Sequence, residues 1–232
     1  MKLSKQTLDI IKSFSMINQG ILIRKGNVLK TVSTQKNVMA VATIEETLEN
    51  EFAVYNLNEF LSVLSSSASG DVDLKEQKFE MSDDFFTIYS KKDTRRLHYG
   101  KASESMIITP PEKDIVFPDI ELTLTIQEDT LTWILTQASN LRLNTVAIKS
   151  DGKEVLIATH DSTNAVIHSA DETIGEGNGD KFEFILKMDC LTLLPGDYDI
   201  ALSSKGVSHW KNKNIPLEYW ITTEKGSFYQ KA

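Results

Sequence analysis

The fold turns on residues 4–32, SKQTLDIIKSFSMINQGILIRKGNVLKTV. Leu8, Ile11, Phe14 and Ile17 recur at three-residue spacing, so one face of a helix is apolar and can be buried. Ser4 stands where a hydroxyl can accept a first-turn N–H, and Gly20 stands where the helix has to stop. Lys5 and Lys12 are seven residues apart and therefore share a polar face. Beyond Gly20, Ile21 to Arg24 and Val28 to Val32 flank Lys25-Gly26-Asn27, which predicts a β-hairpin.

Outward from this stretch, strands are expected at 37–44 and 51–55. A short helix follows over 57–64, bounded by Ser65 to Gly70, and short strands fill 71–101. The same order then returns. A strand over 121–126 leads into Glu128-Asp129-Thr130, which opens a helix with Leu131, Ile134, Leu135 and Ala138 on one face. Residues 145–149 and 154–158 flank the turn Ser150-Asp151-Gly152-Lys153 as a second hairpin. Strands at 163–174 and 181–187, a short helix over 188–194 stopped by Pro195-Gly196, and closing strands at 197–203, 207–211 and 216–223 complete the copy. Between the copies lie Pro110, Pro111 and Pro118, which stiffen a connector and resist sheet pairing. The reading is α+β, with two similar domains at 1–106 and 119–232 joined by a connector at 107–118.

Composition narrows the function. The chain of 232 residues carries −8 at neutral pH, which argues against a protein that simply coats nucleic acid. The charge is uneven: residues 1–116 hold 15 basic and 16 acidic side chains, residues 117–232 hold 10 and 17. Cys190 is the single cysteine, so no disulfide and no paired-cysteine metal knuckle forms within the chain, as suits a reducing cytoplasm. Asp9 and Lys12 interrupt the opening residues, and no run approaches the ~20 apolar residues of a membrane span. A soluble protein that stays where it is made is expected.

Five ordered segments carry a family resemblance: Met1 to Lys5, Tyr55 to Leu61, Phe117-Pro118, Asn144 to Ile148, and Pro195-Gly196-Asp197-Tyr198. With them the chain resembles the sliding clamps of T-even-type bacteriophages across nearly its whole length. The resemblance implies a fold of two clamp domains per chain, with helices lining the inner face of a ring and antiparallel sheets outside. It implies a homotrimer around double-stranded DNA, loaded by an ATP-driven clamp loader and tethering the replicative DNA polymerase. A platform role in phage transcription and a place in the cytoplasm of the infected host are further implications. It implies no enzyme activity, no cofactor and no membrane.

The resemblance also sorts residues. Lys5 and Lys12, joined by Lys2, become candidates to face DNA, against the plain alternative of a solvated helix face. The second long helix departs from the family, because residues 127–141 hold no basic side chain. Gln137, Ser139 and Asn140 occupy much of it, leaving Arg142 and Lys187 as the candidates in that half. Ile107, Ile108, Ile115, Val116 and Phe117 make the connector unusually apolar, which suits either packing on its own domain or a docking pocket for partner tails. Clamp topology pairs the last strand of the first domain with the fourth strand of a neighbour's second domain. Arg95, Arg96, Leu97 and Tyr99 would then face Val166, Asp171 and Glu172 across a subunit edge.

Catalytic patterns are weak. His160-Asp161-Ser162 is contiguous and cannot form a triad, which is assembled from distant segments. Residues 175–179 are glycine-rich but lack the Gly-Lys-Ser/Thr of a phosphate loop and precede a strand, so they read as a mobile connection. A single-strand binder would need aromatic platforms beside basic grooves, and Phe85, Phe86 and Tyr89 follow Asp83-Asp84 instead. The main alternative is a non-enzymatic scaffold of two domains that never encircles DNA.

Overall fold

A computed structural model describes residues 3–66, 79–81, 84–89, 95–111, 117, 119–160 and 168–232. The chain divides into two compact units, residues 1–112 and 113–232.

In the first unit, helix α1 (Lys5–Ile17) buries Leu8, Ile10, Ile11 and Phe14. Each such side chain contributes about 1.5–3 kcal/mol when fully buried. They pack toward strands β2 (Gly26–Val32) and β3 (Val38–Leu48) and helix α2 (Leu57–Ser66). Along β3, Val38, Ala40, Ala42, Ile44 and Leu48 are buried and the residues between are not, the signature of a strand with one covered face. A third group of strands, β5 (Phe79–Met81), β6 (Phe85–Tyr89) and β7 (Arg96–Gly100), pairs in that order, antiparallel throughout.

The 21–32 segment is not a hairpin. Strand β1 (Ile21–Ile23) pairs with β4 (Phe52–Val54), while β2 pairs with β3. All three residues of β1 are buried, so it is covered on both sides and shows none of the alternation of a half-exposed hairpin arm. Gly26, at φ +115°, lets the chain turn out of one sheet into the other. Gly20 is demanded by space: a Cβ there would lie 2.8 Å from Ile107 Cδ1 and 3.0 Å from two carbonyl oxygens.

The second unit holds two sheets. In one, β9 (Thr145–Ser150) and β10 (Glu154–His160) form the expected hairpin, within the order β11 (Asp171–Glu176), β10, β9, β12 (Lys181–Lys187), β16 (Phe228–Gln230). Helix α3 (Glu128–Asn140) packs on this sheet through Leu131, Ile134 and Ala138. In the other, β8 (Leu122–Ile126), β13 (Tyr198–Ser203), β14 (Val207–Asn212) and β15 (Leu217–Thr222) pair in sequence. Its core is aromatic: Tyr198 stands edge-on to Trp210 and Tyr219 at 6.1 and 6.2 Å, and all three are fully buried.

Residues 188–194 form one 3-10 turn, Met188–Cys190, not a short helix. The Leu194 N–H is donated to Tyr219 Oη at 3.1 Å and its carbonyl accepts from Tyr198 Oη. Those side chains take the backbone groups a helix would use, and Pro195 holds Leu194 away from helical geometry. The glycine-rich run is not a mobile connection: Gly175 and Glu176 end β11, and residues 177–179 form a turn packed on the β9–β10 turn. Gly177 N–H donates to the Lys153 carbonyl at 2.8 Å, and Gly179 N–H to the Gly152 carbonyl at 3.0 Å.

Candidate nucleic-acid interface

The outward face of α1 is a stripe of Lys5, Asp9, Lys12 and Met16, spaced four, three and four residues apart. Lys5, Lys12 and Met16 are exposed and Asp9 is partly exposed, and neither lysine has an ion-pair partner among the described residues. Lys5 begins the helix, where a cation opposes the positive end of the helix dipole. The end is held by other groups. Ser4 Oγ accepts the Thr7 N–H at 3.2 Å. Glu46 of β3 brings both carboxylate oxygens to it, accepting from the Ser4 N–H and the Thr7 hydroxyl. At the far end the buried Asn18 donates to the carbonyls of Val32 and Ile108, at 2.9 and 3.2 Å, and accepts the Gly20 N–H at 3.2 Å. It ties helix, strand and connector together.

The outward face of α3 differs. Asp129, Thr132, Trp133, Thr136 and Asn140 lie on it, and all are exposed. Its first turn is acidic, with Glu128 and Asp129, and has no side-chain cap from Gln127. Asp197 Oδ1 accepts the Glu128 N–H at 2.9 Å instead, so the Pro195–Tyr198 segment anchors the helix as well as the core. Trp133 is 41% exposed although tryptophan is a costly residue to leave in water. Its signal in the sequence is that it falls opposite the 131/134/138 stripe.

The other candidates are placed as follows. Arg142 follows the C-cap of α3 in left-handed backbone at φ +58° and is exposed. Lys187 ends β12 and pairs with Glu224 at 3.3 Å, so part of its charge is compensated. Ile107 is 9% exposed and packs with Leu22 and Ala53, inside its own unit. Ile108 is 42% exposed. Phe117 lies 5.8 Å from the ring of His209, which stacks on Trp220 at 4.6 Å and bonds Glu218 at 2.9 Å. Lys2, Ile115, Val116 and Val166, with Asp161 and Ser162, lie outside the described residues.

Both strands expected at a subunit edge end their sheets among the described residues: β7 in the first unit and β11 in the second. On β7, Arg95 and Arg96 are exposed at its start, while Leu97 and Tyr99 turn inward. Tyr99 packs on Phe60 at 5.5 Å, and burial followed by the charge of Glu59 raises its pKa. On β11, Asp171 is exposed, whereas Glu172 turns toward α3 and accepts the Thr130 hydroxyl at 2.9 Å. Among the described residues no group of three or more His, Cys, Asp or Glu could hold a metal, and no helix is long and apolar enough to cross a membrane.

Helix-on-sheet units repeated in this order define a two-domain clamp architecture. A solved structure described as the C-terminal region of FEN-1 bound to A. fulgidus PCNA superposes with a TM-score of 0.69 over 98% of both chains at 12% identity. Residues 2–109 match the family described as DNA polymerase processivity factor, and residues 123–225 match the gp45 sliding clamp, C terminal. The sliding clamp of Escherichia phage RB69 is 31% identical over 211 residues, 89% of each chain. That of Vibrio phage KVP40 is 26% identical over 230 residues, 97% of this chain and 99% of its own. The chain belongs to the sliding-clamp family of DNA polymerase processivity factors.

Proposed function

We propose that the protein closes as a homotrimeric ring around duplex DNA and tethers the replicative polymerase, with no catalysis of its own. The observation that carries this reading is the Lys5–Lys12 face of α1. Two cations with no ion-pair partner among the described residues are held out from the helix, Lys5 at the end that disfavours it, in a chain of net charge −8. Phosphate contacts of this sparse kind attract DNA without reading sequence, and their small number leaves the ring free to slide. Retention then falls to topology.

Ring closure needs heterologous contacts. Strands β7 and β11 suit that need, because each ends its sheet among the described residues. Arg95 and Arg96 of one subunit would meet Asp171 of the next, with Glu172 serving α3 within its own subunit. An ATP-driven loader would open the ring, and phage transcription would use it as a platform, both in the host cytoplasm. Light scattering coupled to size exclusion across a dilution series tests the assembly. Three copies of a 26.1 kDa chain give 78.3 kDa, the mass expected at high concentration. A monomer at every concentration sinks the ring and leaves the two-domain scaffold.

A further inference from the structure

In the second unit, Ser208, Trp210 and Asn212 of β14 are buried, and Val207, His209 and Lys211 lie on the opposite face of the strand. On that face His209 stands directly across from Trp220 of β15, with the two rings stacked at 4.6 Å and 14° apart. Phe117 brings a second ring to 5.8 Å from the imidazole. Both distances fall within the reach at which an aromatic face attracts a cation. His209 Nε2 also lies 2.9 Å from Glu218 Oε2, on the same strand as Trp220. The other charged groups around it are placed differently. Lys211 is in register with Glu218 and forms no ion pair among the described residues. On β13, Ala201 is the residue across from His209, and Asp199 accepts the Thr125 hydroxyl at 2.7 Å and lies 3.9 Å from Lys213.

We propose that His209 is a proton-responsive seat for Phe117, which holds the phenyl ring on the sheet when the imidazole is charged and loosens it when the imidazole is neutral. Histidine is the side chain that ordinarily changes charge between about pH 5 and 8. A neutral imidazole can already bond Glu218 through one N–H. A second proton turns that contact into an ion pair, and a hydrogen bond between charged partners is stronger than one between neutral groups. The same proton gives Trp220 and Phe117 a cation to face. Lys211 opposes the charge and Glu218 offsets it, so a fall in pH tightens the seat and a rise loosens it. A ring that merely fills space would be held equally at every pH. The seat lies within one unit and stands whether or not the ring of subunits forms.

The test places 4-fluorophenylalanine at position 117 of the intact protein and follows its fluorine resonance from about pH 8 to about pH 5.5. The ratio of seated to free ring is expected to rise about fivefold over that range. The indole N–H resonance of Trp220, assigned with Trp220→Phe, should move with the same midpoint. His209→Gln keeps a donor for Glu218 but carries no charge, and it should abolish both movements. Glu218→Gln should cut the rise to about twofold. A fluorine resonance that stays in place in the otherwise wild-type protein, or that moves equally in either variant, overturns the proposal. If His209→Gln melts early, His209→Phe replaces it, since it keeps an aromatic ring without a charge. No movement is then expected, and movement equal to that with His209 present overturns the proposal.

Discussion

Helices α1 and α3 hold the same place in their two units and are both 13 residues long, yet their outward faces have opposite chemistry. The α3 sequence follows the helix dipole, with Glu128 and Asp129 in the first turn and Arg142 beyond the end. The α1 sequence runs against it, with Lys5 in the first turn and no basic residue in the last. Stability is restored to α1 from outside the helix, by Glu46 and Ser4. Such an arrangement is hard to explain by folding alone. In the proposed ring it would place the electrostatic attraction for DNA in the first unit, and leave the second to present the Asp129 carboxylate, hydroxyls, an amide and Trp133.

The largest effect should come from reversing charge on α1. Lys5→Glu/Lys12→Glu is expected to cut loader-dependent processive synthesis about tenfold or more, since each reversal turns attraction for phosphate into repulsion. Both side chains are exposed, so the melting temperature should move by no more than about 2 °C. Trp133→Ala on α3 should cost at most about twofold in the same primer-extension assay, because a face with no cation would attract DNA weakly. The reverse order of effects would break the comparison.

Next come the groups that hold α1 in place. Asn18→Ala removes three hydrogen bonds at a buried position and should destabilise the protein by about 2–3 kcal/mol in urea. Glu46→Gln keeps the shape but loses the charge at the helix start, and about 1–2 kcal/mol is expected. A variant of Glu46 with unchanged stability would mean that Lys5 needs no such offset.

These residues also mark what could be read from the sequence. Periodicity located α1, α3 and the β9–β10 hairpin, because each has a regular apolar face or a strong turn. It misjudged β1, whose Ile21, Leu22 and Ile23 carry no alternation, and residues 188–194, where two tyrosine hydroxyls claim Leu194. Strand β16 is three residues long and has no period to detect. Spacing put Lys5 and Lys12 on one polar face of α1, where both are exposed, while a role toward DNA came only from the family resemblance. Glu46 and Asn18 were not legible, because their partners lie 39–42 and up to 90 residues away. Ile107 is an apolar connector residue spent on its own unit, which only packing could decide.

A smaller effect concerns the C-terminal end of the second unit. Asp180 accepts from the Tyr229 hydroxyl and from the Ala232 N–H, and the tyrosine bond above all lowers its pKa below 3.8. A lowered carboxyl stabilises the folded state above its unfolded value. That contribution should fade as pH falls through the lower, folded value. Tyr229 moves the other way, its pKa raised to about 12 because its hydroxyl donates to that carboxylate. Asp180→Asn should bring Tyr229 back toward 10.0 in an ultraviolet absorbance titration, with little change in the mass of the protein in solution. An unchanged tyrosine titration would show that the contact is not made in solution.

The central claim is that DNA is held by encirclement and only attracted by Lys5 and Lys12. Contacts driven by counterion release weaken steeply with salt, whereas a closed ring is kept on a circle by topology that salt does not screen. Labelled protein, loaded with loader and ATP on nicked circular DNA, should co-elute with it after a moderate salt wash. It should be lost when the same DNA is cut once, by sliding off the ends. Equal retention on the circular and the linearised DNA would contradict encirclement.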